Sequence, residues 1–245
     1  MSATSTSSTT TAIRRERGRL GHRLSGLAVA LGCVLFLGGF AWAALSYRPY
    51  TVPTDSMQPT VQPGAKVLAQ KISGSDVHRG DVVVFKDKLW GDLPEVKRVI
   101  GVGGDTVVCC DKQGRLQVDG RPVAEPYLKN TREPASGPFS TTVPKGKLFL
   151  LGDNRAVSQD SRIHLDDAEK GAVPASDVRG RVAATVWPLG HAGGLPSAPG
   201  FAPLPGGGQS GTGPLAWLVV MVVAGAVLIL GGAVYEPLAR RVARR

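Results

Sequence analysis

Two charge-free apolar runs bracket a region in which hydrophobic residues come only in short bursts. The runs are Ser25–Ser46 (SGLAVALGCVLFLGGFAWAALS) and Leu215–Tyr235 (LAWLVVMVVAGAVLILGGAVY). Each is close to the ~20 residues a helix needs to cross a bilayer core. Gly32, Gly38 and Gly39 are tolerated in a lipid-embedded helix. Trp42, Tyr47, Trp217 and Tyr235 stand near the ends, where aromatic belts form. Between the two runs, Lys66–Gln70, Val82–Phe85, Val96–Val102, Thr106–Cys110, Leu116–Val118, Leu148–Leu151 and Val182–Trp187 are β-rich and punctuated by Gly, Pro and Asp. That pattern predicts strands. Asp119-Gly120 predicts a tight hairpin. Residues 165–172 (LDDAEKGA) predict one helical turn, and no segment has the length and period of a soluble amphipathic helix. The expected fold is mainly β: an external antiparallel β-domain flanked by two transmembrane helices.

These patterns divide the chain into a basic tail (1–24, Ser/Thr-rich and expected to be disordered over 1–13), a span (25–46) and a β-rich domain (47–190). A Gly/Pro-rich stretch (191–214), a second span (215–235) and a basic tail (236–245) follow. Residues 191–214 (HAGGLPSAPGFAPLPGGGQSGTGP) are more than half Gly and Pro, the composition of a flexible tether.

Charge gives the chain an orientation. The net charge is +10. Residues 14–23 carry five arginines against Glu16, and residues 236–245 carry four against Glu236, so the middle holds only +3. A nucleic-acid binder would place its excess on the folded domain. Here the excess flanks the spans, so the partner expected is a lipid bilayer and not nucleic acid. The positive-inside rule then puts both termini in the cytoplasm and the β-domain on the extracytoplasmic face of the cell membrane. Ala41-Trp42-Ala43 resembles a signal-peptide cleavage site, but the run exceeds a usual 7–15-residue h-region, which favours an uncleaved anchor. The three cysteines do not make a disulfide scaffold: Cys33 lies in a span, and the redox state of Cys109-Cys110 is open. No zinc-type His/Cys spacing and no phosphate-cradling glycine loop is present, so neither metal nor cofactor is expected.

The candidate chemistry centres on VPTDSMQPT (52–60). Pro53 and Pro59 keep Ser56 out of a helix and suggest an exposed, extended serine. Its hydroxyl needs a base. His22, His78, His164 and His191 stand in no visibly constrained context, so a Ser-His arrangement is open but unsupported. Lysine is the other choice. A free lysine is neutral in only about one molecule in 2,500 at pH 7, and a working base needs a fall of ~3 units, which burial can supply. Lys97, in EVKRVIGVGGDTV, precedes an apolar strand and shares a face with Glu95 and Val99.

Four blocks in order resemble the bacterial type I signal peptidases, membrane-bound serine proteases with a Ser-Lys dyad: PTDSMQPT, RGDVVVFK (79–86), KRVIGVGGD (97–105) and GDNRAVSQDSR (152–162). The resemblance covers roughly 50–190 and implies a β-domain of the signal-peptidase type. It implies Ser56 as nucleophile and Lys97 as general base, with the Thr54 hydroxyl and the Ser56 N–H as oxyanion hole. It implies Ser158 as the hydroxyl that orients the lysine, and Arg98, Asp153, Asp160 and Arg162 as bracing charges. Val52, Pro53, Met57 and Val96 are expected around shallow apolar pockets for small residues, with Met57 packed under the site. The implied partners are secreted preproteins, cut after a small-x-small motif such as Ala-x-Ala. Asp55 replaces a common glycine and is expected to face solvent. Two other readings remain: a self-cleaving repressor-type protein, which would need a helical DNA-binding domain, and a non-catalytic anchored β-domain.

Overall fold

A computed structural model describes residues 7–132, 135, 137–211 and 213–243, with side chains described between 23 and 235. The chain divides into two compact units, Ser46–Gly213 and a helical unit formed by Met1–Leu45 and Pro214–Arg245.

Among its described residues the β-unit holds twelve strands: β1 (Tyr47–Val52), β2 (Ala65–Gln70), β3 (Val82–Phe85), β4 (Glu95–Val102), β5 (Thr106–Cys109), β6 (Gln117–Val118), β7 (Arg121–Pro122), β8 (Phe139–Thr142), β9 (Lys147–Leu151), β10 (Ala172–Pro174), β11 (Val178–Trp187) and β12 (Gly193–Gly194). The larger sheet runs β1-β2-β11-β3-β4-β9-β10, with β12 on β11; the smaller runs β7-β6-β5-β8. All pairs are antiparallel. The mainly β fold expected from the sequence is therefore found. Asp119 and Gly120 both have positive φ, +51° and +73°, as the two-residue turn between β6 and β7 requires.

β1 escaped the sequence pattern. It follows the first apolar run without a polar break and carries Pro49. Among the described residues it is an edge strand paired only to β2, and an edge is where a strand accommodates a residue with no N–H.

Three apolar clusters fill the unit. Val52, Met57, Val61, Val67, Val84 and Val96 pack together beneath the β1–β4 region. Val83, Phe85, Val99, Leu150 and Val173 form a second group. The third, around Val107, Leu116, Phe149 and Leu151, includes Ala198, Phe201 and Leu204.

That last membership corrects the flexible tether expected for 191–214. Phe201 is fully buried and Leu204 nearly so. Arg79 donates to the Pro205 carbonyl (2.6 Å), Arg121 to that of Pro203 (3.0 Å), and Ser210 N–H to Asp81 (2.8 Å). The segment is a strap laid over the β-unit. Its Gly and Pro content reflects close backbone approach: a Cβ at Gly200 would meet the backbone of Ala124 at 2.2 Å.

In the helical unit, α1 (Ser7–Ser46) and α2 (Leu215–Ala243) extend beyond the predicted spans. Residues 7–13, expected to be disordered, are helical; residues 1–6 lie outside the described residues. Both helices are long and apolar enough to cross a membrane. They pack antiparallel through small residues. Ser25 Oγ donates to the Gly232 carbonyl (2.7 Å). A Cβ at Gly32 would meet Gly225 O at 2.8 Å, and one at Gly39 would meet Met221 and Val222 at 3.2 Å. Small residues allow such close approach between helices in lipid.

Candidate active site

The loop that leaves β1 carries Thr54, Asp55 and Ser56 to the rim of a cleft of about 450 Å³. Residues 51–56 line one wall and 94–97 the other, with Trp90, Leu93, Val157 and Gln159 around them. The strand pairing explains the slot. β4 pairs with β3 over residues 95–98 and with β9 only from Arg98 onward. Among the described residues, 95–97 therefore keep one backbone edge unpaired, and β1 keeps its outer edge.

Ser56 is buried at 7% exposure, not exposed as its prolines suggested. Its hydroxyl lies 3.1 Å from Thr54 Oγ1. Asn154 closes over the same turn, its N–H donating to Ser56 O (2.9 Å) and its side-chain amide to Asp55 O (3.1 Å). Asp55 faces solvent, as expected. Met57 is fully buried below, while Val52, Pro53 and Val96 reach the cleft wall; Met57 supports the wall and does not line it.

Lys97 is 4% exposed and lines the same cleft. Its ammonium donates to Glu95 Oε2 at 2.8 Å. No hydrogen bond joins Lys97 to Ser56 among the described residues. Ser158 is also buried, and among the described residues its hydroxyl has no hydrogen-bond partner. The fold thus brings Ser56, Thr54 and Lys97 to one cleft. Ser158 lies beside them: a Cβ placed on Gly152 would fall 2.2 Å from Ser158 Oγ and 2.6 Å from Ser56 O. Only a glycine at 152 leaves room for both.

The four charges expected to brace the site form two ion pairs. Arg98 and Asp153 are fully buried and joined by two hydrogen bonds, Nε–Oδ1 at 2.8 Å and Nη2–Oδ2 at 2.7 Å. Arg98 also donates to Gly80 O (2.8 Å) and stacks over the Tyr127 ring at 3.9 Å. Burial works to lower the Arg98 pKa, but Asp153 outweighs it and the net shift is upward, so the guanidinium stays charged. Asp160 caps the 3₁₀ turn Ser161–His164, accepts from Gly152 N (3.0 Å) and binds Arg162 Nε (2.8 Å). Arg162 in turn holds the Arg155 carbonyl (2.8 Å). The loop 152–162 is therefore tied at both ends.

Sequence reasoning missed a third buried set. Arg155 Nη2 donates to Glu125 Oε1 at 2.5 Å, and Tyr127 OH donates to the same oxygen at 2.7 Å. Burial, with Glu125 adding to it, raises the Tyr127 pKa well above the usual phenol value and keeps it a neutral donor. For Arg155, burial opposes the charge and Glu125 overcomes it, so its pKa is raised. Glu125 and Arg155 are 30 residues apart and follow no spacing that a sequence pattern could reveal. Gly152 and Asn154 lay inside the GDNRAVSQDSR block, which was their one signal. Of the histidines, His164 stacks on Trp90 and pairs with Asp167. His78 is exposed, its ring beside Ser210 of the strap and its backbone N–H donating to Asp81.

Comparison with known proteins places the chain in a family. A probable signal peptidase I of Mycobacterium leprae (strain TN) is 34% identical over 208 residues, covering 61% of this chain and 72% of that protein. Signal peptidase IB of Staphylococcus aureus (strain N315) is 34% identical over 181 residues, covering 66% and 87%. A solved signal peptidase I from Enterococcus faecalis V583 is 30% identical, covers 43% of this chain and 96% of its own, and superposes with a TM-score of 0.36. Residues 24–187 match the family described as "Signal peptidase, peptidase S26". The chain belongs to that family and is a serine endopeptidase of the signal peptidase I type.

Proposed function

We propose that the protein removes signal peptides from exported preproteins after a small-x-small motif, with Ser56 as nucleophile and Lys97 as general base. The observation that carries this reading is the cleft itself. Ser56, Thr54 and Lys97 stand on its walls, and a buried, unpartnered Ser158 hydroxyl lies beside the Ser56 turn. A substrate would lie extended between β1 and the unpaired edge of residues 95–97, as an added strand. Val52, Pro53 and Val96 leave shallow apolar recesses suited to small side chains.

In the reaction Ser56 Oγ attacks the scissile carbonyl as neutral Lys97 takes its proton. The tetrahedral oxyanion is met by the Ser56 N–H and the Thr54 hydroxyl. Aligned donors of this kind are usually a large part of the rate enhancement. Lys97 then protonates the leaving amine, and water hydrolyses the acyl-enzyme. The Ser158 hydroxyl aims the amine.

Ser56→Ala and Lys97→Ala should each abolish cleavage of a secretory preprotein by the full chain in detergent, with the β-unit folded. The double variant should be no worse than either alone, since such residues act as a unit. Lys97→Ala retaining most activity would sink the dyad.

In this reading both termini lie on the cytoplasmic side and residues 47–213 on the other. The arginine distribution and the antiparallel α1–α2 pairing support this. Protease added to spheroplasts should cut within 47–213 and spare both tails; digestion of the tails alone would reverse the orientation.

A further inference from the structure

We propose that Glu95 is a positioning residue that holds Lys97 as a withdrawn ammonium and so sets the pH above which the enzyme works. This rests on Lys97 being the general base. Glu95 and Lys97 are two apart on β4, so their side chains leave the same face. The Lys97 side chain is 5% exposed and that of Glu95 27%, with Nζ and Oε2 at 2.8 Å. An amine bonded in this way is a charged donor with no lone pair to offer a serine. The Ser158 hydroxyl, meanwhile, is buried with no partner among the described residues. An unmet buried polar group is costly. The structure therefore holds a resting arrangement: the base is held by the carboxylate, and the hydroxyl that would receive it is empty. Activation needs the ammonium to lose one proton to water. The N–H bond breaks, its electron pair stays on nitrogen, and the neutral amine turns from Glu95 toward Ser158 and Ser56.

A carboxylate against the ammonium opposes that loss. The neighbours do not supply the same effect. Lys97 and Glu95 face Val83 and Phe85 on β3. The other titratable group lining the cleft is Asp55, which points to solvent. His164 lies behind Trp90 and is paired with Asp167. Arg98 is closed on Asp153, and Arg162 on Asp160.

The test is the pH profile of kcat/KM for preprotein cleavage by the full-length protein. Glu95→Gln should move the rising limb about one unit or more toward acid, the usual effect of removing an opposite charge at this distance. Well below the midpoint that is about a tenfold gain in rate. Glu95→Asp should restore part of the shift, and His164→Gln should leave the midpoint in place. Without any variant, raising salt from about 0.05 M to about 1 M should lower the wild-type midpoint by screening the part-exposed pair, and should not do so in Glu95→Gln. An unmoved or alkaline-shifted midpoint in Glu95→Gln overturns the proposal. So does loss of activity at every pH in a folded Glu95→Gln protein, which would make Glu95 part of the catalytic machinery. Activity surviving in Lys97→Ala is a separate outcome that removes the underlying dyad.

Discussion

If residues 191–213 are a strap and not a tether, the β-unit should lose much of its stability when Phe201 is truncated. Phe201 has no exposed surface and sits among Ala198, Leu204, Phe149 and Leu116. A buried Phe→Ala change costs ~3–5 kcal/mol in lost transfer energy and cavity formation. For a unit of this size each kcal/mol lowers Tm by about 2–4 °C, so Phe201→Ala should fall by roughly 6–20 °C. Leu189, just before the strap, is 74% exposed, and Leu189→Ala should change little. Both proteins would be melted in detergent and followed by near-ultraviolet circular dichroism of the β-unit. A Phe201→Ala midpoint within 2 °C of wild type, matching the Leu189 control, would refute the strap. The same energetics oppose cutting the chain near 192: the cut would uncover Phe201's site and strip Arg79 and Asp81 of strap partners.

Two other outcomes test the site. Thr54→Ala should lower kcat by about 10²–10³ with little change in stability, the usual loss for one oxyanion donor, and an unchanged kcat would remove Thr54 from that role. Gly152→Ala should cost ~1–3 kcal/mol of stability by overpacking and should reduce cleavage, because its Cβ would lie 2.2 Å from Ser158 Oγ; wild-type Tm and rate together would show that the loop yields freely.

Much of the fold was legible because its strands are Val-rich and cut by turn residues. β2, β3, β4, β9 and β11 fall where the apolar bursts lie. β1 was hidden by its junction with α1, which has no polar break, and by Pro49. The strap was hidden because its composition reports backbone freedom, while its order comes from a few apolar anchors, chiefly Phe201 and Leu204, set among Gly and Pro. At the site, Ser56, Thr54, Lys97 and Ser158 were legible through ordered blocks. The Lys97–Glu95 contact was not. A sequence places two side chains on one face of a strand but does not say which rotamer each takes. The Glu125–Arg155–Tyr127 set was hidden for a different reason: it joins remote segments that only the folded sheet brings together.

The small residues of α1 have a consequence for identity as well as for attachment. Any apolar segment of the right length would hold this chain in a bilayer. Ser25, Gly32 and Gly39 recur every seven residues, and Gly225 and Gly232 repeat the same interval on α2. A seven-residue repeat keeps one stripe facing the partner along a left-handed crossing. The two helices therefore read each other. A span of equal hydrophobicity with leucine at those positions would still sit in lipid, but it could not mate with its counterpart, and the second helix would become a stranger to the first.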